Sequence, residues 1–138
     1  MLSDSVEVDP VVTDSAEIRQ YDLLLEVGPQ QLSGIFMVQM KSPTEIIGTV
    51  INEVGLTAFD FVYNGKKTEL SNLPPFLDKW YIRKVLQADM SFFFSHFLDH
   101  KNATKISRQI TFSPDGEISL INFRFKIHYT FTPIKDEI

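Results

Sequence analysis

Residues 121–131 read INFRFKIHYTF. Ile121, Phe123, Phe125, Ile127, Tyr129 and Phe131 alternate with Asn122, Arg124, Lys126, His128 and Thr130 over eleven residues. Side chains on a β-strand point to opposite faces with period two, so this alternation predicts one long strand, buried on one face and wet on the other. One-sided burial is the habit of an antiparallel sheet. Pro133 ends the run, because proline has no amide hydrogen to give to a ladder.

Upstream of this stretch, Ser113-Pro114-Asp115-Gly116 is a turn, with residue types that suit its central positions. Before it, residues 104–112 read as a strand with Ile106, Ile110 and Phe112 on one side. The period then changes. Over residues 79–98, Lys79, Arg83, Gln87, Ser91 and Ser95 recur every four positions, opposite Ile82, Leu86, Met90, Phe93 and Phe97. That spacing predicts a long amphipathic helix, with Asp78 as its cap and Leu73-Pro74-Pro75 as the stop before it. Towards the N-terminus, residues 19–27, 32–40, 46–53 and 56–63 read as strands, and 67–70 as a short one. Gly28-Pro29, Ser42-Pro43-Thr44, Glu53-Val54-Gly55 and Asn64-Gly65 separate them.

The strand-to-strand links are short, which requires antiparallel neighbours. The expected class is therefore α+β: a single strongly curved antiparallel sheet, a half-open barrel of about six or seven strands, with one long amphipathic helix against its concave face. Residues 1–17 read as a flexible acidic leader or tether, and residues 18–138 as a single domain.

Charge separates the same two parts. The net charge is −5. Asp4, Glu7, Asp9, Asp14 and Glu17 lie in the leader, which has no Lys or Arg, and the remaining chain holds 13 basic and 13 acidic groups. A neutral body argues against nucleic acid as a partner. Lys79, Arg83 and Lys84 form a small basic group, with Lys66 and Lys67 upstream and Asp78 and Glu69 diluting it. It reads as a solvated helix face, with a phosphate or anionic-lipid patch as the alternative. The chain has no cysteine, which excludes disulfides, thiol catalysis and thiolate-ligated metal. No apolar run approaches the roughly 18 residues that a membrane-spanning helix needs.

Phenylalanine accounts for 12 of 138 residues. Phe92, Phe93 and Phe94 on the expected helix point in directions about 100° apart, so they cannot share one layer. At least one must meet a wrapped sheet edge, a partner, a cavity or a lipid.

Catalytic patterns are missing. His96 and His100 stand four apart with Asp99 between them, but the metalloprotease glutamate is lacking and the helix is ending there. His128 falls on the polar face of the last strand. Asp60, with Asp22 or Glu53, is the only carboxylate pair worth weighing, and a solvent-facing strand position accounts for Asp60 as well. No nucleophile elbow or phosphate-binding glycine loop is present. A non-enzyme without cofactor or metal is expected.

The stretch LSGIFMVQM at 32–40, residues 46–51, GLTAFDF at 55–61 and LPPFLDKWYI at 73–82 resemble bacterial outer-membrane lipoproteins with the fold of the lipoprotein localisation factors LolA and LolB. The resemblance covers roughly residues 18–132 as a pattern. It implies a half-open barrel lined with apolar residues, and a place on the periplasmic side of the cell envelope. The N-terminal anchor would be a lipidated cysteine preceding the acidic leader, and the cargo a lipid or lipoprotein acyl chain.

Two functions follow. The first is a non-catalytic protein that binds an acyl chain or other apolar ligand between sheet and helix, with the role in lipoprotein localisation that the resemblance implies. Phe36, Val38, Phe59, Phe61, Phe93, Phe97, Phe123 and Phe125 would line that groove. The second is a structural or interaction lipoprotein with a filled core. It would act through its surface on an envelope partner, with Lys79, Trp80, Tyr81 and Arg83 as contacts.

Overall fold

The structure, a computed structural model, describes residues 18–55 and 57–134. The expected leader, residues 1–17, lies outside the described residues. Five strands come first: β1 (Ile18–Val27), β2 (Gln30–Ser42), β3 (Glu45–Asn52), β4 (Thr57–Tyr63) and β5 (Thr68–Ser71). One helix follows, α1 (Trp80–Phe97), and then β6 (Ala103–Lys105), β7 (Arg108–Phe112), β8 (Ile118–Asn122) and β9 (Ile127–Pro133). All nine strands belong to one antiparallel sheet in the order β5-β4-β3-β2-β1-β9-β8-β7-β6.

The chain therefore meanders from β1 outward to one edge. It crosses through α1 to the opposite edge and meanders back until β9 pairs with β1. Neighbouring strands lie about 4.8 Å apart, so nine of them laid flat would span roughly 40 Å, several times the width of a helix. Yet α1 reaches both sides: Ser91 Oγ lies 3.0 Å from Thr68 Oγ1 on β5, and Arg108 Nε on β7 donates to Asp89. A sheet that touches one helix from β5 to β7 must curl round it.

This architecture overturns the expected one in three respects. The sheet is an open one of nine strands, where a half-barrel of six or seven was expected. Two of the additional strands come from hairpins hidden inside apparently continuous runs, at 103–112 and 118–133. The helix has 18 residues and is not an amphipathic one of the expected kind: Asp89, Met90, Phe92, Phe93, Phe94 and Phe97 are all buried, so its last two turns are covered on most sides. Asp78 does not cap it. Lys79 precedes the helix with no side-chain bond to the first amides, and Asp78 instead takes the Arg83 guanidinium at 2.5 Å.

The hairpin between β8 and β9 explains why alternation misled. Residues 123–126 form the loop, Asn122 pairs with Ile127 and Ile121 with His128. Paired residues share a face, so parity reverses across the loop. Ile118, Leu120 and Asn122 point inward on β8, and Ile127, Tyr129 and Phe131 on β9. Ile121 thus faces outward and Asn122 inward, the opposite of a single strand. The loop carries no glycine or proline to betray it. Lys126 supplies the positive φ of 59°, and Asn122 Oδ1 accepts the Phe125 amide at 3.0 Å.

The hairpin between β6 and β7 hides in the same way. Lys105 pairs with Arg108, leaving Ile106-Ser107 as a two-residue loop. Ile106 is 92% exposed and sits at φ 52°. That left-handed region is unfavourable for a β-branched residue and free for glycine. Ile106→Gly should therefore raise the folding free energy by about 1 kcal/mol, the relieved strain exceeding the entropy that glycine adds to the unfolded chain. Urea denaturation of the two proteins checks this, and an unchanged or lower midpoint would refute it.

Candidate functional site

The inner face of the sheet and the helix form an aromatic core. Phe36 on β2 stacks on Phe61 of β4 at 4.9 Å and meets Phe131 of β9 at 4.9 Å and Phe93 of α1 at 5.8 Å. Phe93 stacks on Phe131 at 4.5 Å and on Phe97 at 5.1 Å. Phe94 turns to the other wall and packs on Phe61 and Tyr63, both at 5.3 Å. Gly48 permits this layer, because a Cβ there would lie 2.5 Å from the tip of the Phe61 ring.

Six of the eight residues nominated for an apolar groove are thus brought together. Phe36, Val38, Phe61, Phe93 and Phe97 are at most 1% exposed and Phe59 only slightly more. Their side chains belong to one buried core between helix and sheet. Phe123 and Phe125 do not join them. Both sit in the β8–β9 loop, half exposed, with the Arg124 guanidinium 5.4 Å from the Phe125 ring centre.

The four nominated contact residues gather at the start of α1. Trp80 is 73% exposed and Tyr81 52%. Their rings meet edge to face at 5.7 Å, and the Lys84 ammonium lies 5.8 Å over the indole. Lys79 is exposed beside them. Arg83 turns away: besides Asp78, it donates to the Leu70 carbonyl at 2.8 Å, tying α1 to β5.

The histidines are dispersed by their partners. His96 Nδ1 lies 3.0 Å from the Phe92 carbonyl, which can only accept, so Nδ1 carries the hydrogen. His100 packs on Phe112 at 5.0 Å. His128 faces outward from β9, 2.9 Å from Ser119 Oγ and 3.6 Å from Glu26. Among the described residues no three metal-capable side chains come together. Asp60 accepts the Asn72 side-chain amide at 2.8 Å.

The residue that sequence reasoning missed is Asp89. It is fully buried in α1. Arg108 Nε at 2.6 Å and Asn122 Nδ2 at 2.8 Å donate to one carboxylate oxygen, and Tyr129 Oη at 2.7 Å donates to the other. Burial pushes its pKa above the ordinary carboxylate value, opposed by those three donors and by the Arg108 charge. Tyr129 is pushed well above the usual phenol value by burial and by the adjacent carboxylate. The available signal was position: Asp89 stands three residues after Leu86 and four before Phe93, on the apolar side of the helix. A buried carboxylate there needs donors from the facing strands.

Among the clefts at the surface of the described residues, two concern the charged groups. One, of about 700 Å³, lies on the outer face of the sheet over Leu24, Ile35 and Ile51, with Asp22 and Glu53 also lining it. The other, of about 450 Å³, lies over α1 between the β4–β5 turn and the β6–β7 hairpin. Lys66, Lys67, Lys105, Arg108 and His96 line this second cleft.

No protein-family model matches the chain, and no curated protein is similar to it at a significant level. No helix among the described residues is long and apolar enough to cross a membrane.

Proposed function

We propose that this chain is a non-catalytic interaction protein that acts through its surface and keeps a filled core. The observation that carries the reading is the ring packing between sheet and helix. Phe36, Phe61, Phe93, Phe97 and Phe131, which a carrier would hold apart around an acyl chain, close on one another and are almost wholly buried. Burial of apolar ligand surface drives binding only where the protein leaves volume for it. The exposed counterpart is the start of α1, where Trp80 and Tyr81 present large amphipathic rings to solvent beside Lys79 and Lys84. Trp and Tyr are enriched at protein–protein contacts and at their energetic centres, so the two exposed rings, rather than the lysines beside them, would carry such a contact.

Native mass spectrometry of the purified protein, before and after incubation with a fatty acid and a lipopeptide, tests the reading. The expected spectrum is the mass of the chain alone in both cases. An acyl species retained at one per chain, recovered by organic extraction, would overturn the filled-core reading and restore the carrier function that the resemblance to LolA and LolB implies.

A further inference from the structure

Where the two edges of the open sheet approach each other over α1, the chain assembles cations from two distant segments. One wall of the cleft is the β4–β5 turn with Gly65, Lys66 and Lys67, and the other is the β6–β7 hairpin with Lys105, Ile106 and Arg108. The floor is the helix, with Ser91, Phe92, Ser95 and His96. The first wall is firmly built: Asn64 Oδ1 accepts the amides of Lys66 and Lys67 at 3.0 and 2.9 Å, and the Asn64 amide donates to the Lys67 carbonyl at 3.1 Å.

The charge around this cleft is uncompensated. No Asp or Glu lines it. Among the described residues Lys66, Lys67 and Lys105 enter no ion pair, whereas Arg108 is neutralised from behind by Asp89. Lys66, Lys67 and Lys105 all line this one concavity; like charges so gathered repel one another, and an entering anion relieves that repulsion while gaining attraction. Such a concentration is not a consequence of composition, because the chain carries more acidic than basic groups.

We propose that this cleft is a binding site for a phosphate monoester. The floor donates little: Ser91 Oγ is bonded to the Gln87 carbonyl and Ser95 Oγ to the Phe92 carbonyl, so both hydroxyl hydrogens are committed. Recognition falls to the lysines, which act as mobile point charges and favour a compact multivalent oxyanion over a single carboxylate. The volume of about 450 Å³ suits a phosphate with a small organic body and is far too small for a nucleic-acid duplex. Ile106, exposed and held at positive φ, supplies apolar surface for that body. Strained backbone of this kind concentrates at ligand sites. The ester can be a free metabolite or a lipid headgroup, and the chemistry at the lysines is the same.

The test uses glycerol 3-phosphate, followed by amide chemical shifts, and vesicles of phosphatidylcholine with and without phosphatidic acid, followed by co-sedimentation. Saturable binding of the soluble ester assigns a free ligand, and binding only to the phosphatidic acid vesicles assigns a headgroup. In either case a Lys66→Glu/Lys105→Glu variant that melts like the parent should bind at least about tenfold more weakly, the loss expected when two close charge pairs become repulsive. A Lys41→Glu/Lys101→Glu variant makes the same change in net charge at exposed positions outside the cleft and should retain affinity. No saturable binding of either probe up to about 10 mM, or equal losses in the two variants, would overturn the proposal.

Discussion

Truncating Phe93 to alanine should cost about 3–5 kcal/mol of folding free energy, the range for removing a fully buried aromatic ring. Phe93 is 0% exposed and contacts rings from three elements: Phe36 on β2, Phe131 on β9, and Phe94 and Phe97 on α1. These neighbours are themselves fixed by the sheet. Phe36 is clamped between Phe61 and Phe131, so little can move into the space left behind. The cost therefore includes a cavity as well as lost transfer free energy. Phe123→Ala, in the exposed β8–β9 loop, should cost no more than about 0.5 kcal/mol. Urea unfolding of both variants checks the pair. A small loss for Phe93→Ala would mean that the core closes over the gap. A large loss for Phe123→Ala would mean that the loop is part of the core.

The contrast between those two phenylalanines shows what the sequence conveyed. Strand β1 was legible because Tyr21, Leu23 and Leu25 alternate with Asp22 and Glu26, and because Gly28, at φ 60°, marks the turn after it. Local pattern and local chemistry agree there. At 121–131 they disagree: alternation continues through a four-residue loop whose positive φ falls on Lys126, a residue with no turn signature. A period of two cannot reveal a hairpin when loop residues are themselves alternately apolar and charged. Ile106 conceals its hairpin for the same reason. Both errors removed strands from the count, which is how nine became six or seven.

The surface sites failed to show for a different reason. Lys66 and Lys67 are conspicuous in sequence, but their partners in the cleft, Lys105 and Arg108, lie about forty residues away on the opposite edge of the sheet. Only the crossing of α1 brings the two edges together. The basic residues nearer in sequence, Lys79 and Lys84, do not line the cleft, and Arg83 is spent on Asp78 and the Leu70 carbonyl. Proximity along the chain thus grouped the wrong cations.

Replacing Asp89 with alanine should cost about 3 kcal/mol or more at neutral pH, comparable with breaking a buried ion pair from one side. The substitution strips the acceptor from three donors at once: the Arg108 guanidinium, the Asn122 amide and the Tyr129 hydroxyl. Asn122 and Tyr129 are buried and cannot turn to water, while Arg108 is partly exposed and recovers some hydration. The loss thus comes mainly from unsatisfied buried donors, which cost about 1–3 kcal/mol each. Equilibrium unfolding at pH 7 measures it, and a loss below about 1 kcal/mol would show that the donors find other acceptors.

The pH dependence probes the same network from the other side. Burial raises the folded-state pKa of Asp89, so the folded protein holds that proton more tightly than the unfolded chain does. The resulting stabilisation is complete below the ordinary carboxylate range and is lost as pH rises through the raised value. Asp89→Asn has no proton to lose at this position. The stability of the parent relative to Asp89→Asn should therefore be greatest in acid, fall as pH rises from about 4, and level off once Asp89 is ionised. A difference that instead grows with rising pH would mean that Arg108, Asn122 and Tyr129 together outweigh burial and hold the carboxylate charged. The charge on Asp89 would then add to the anchor between α1 and strands β7, β8 and β9 instead of weakening it.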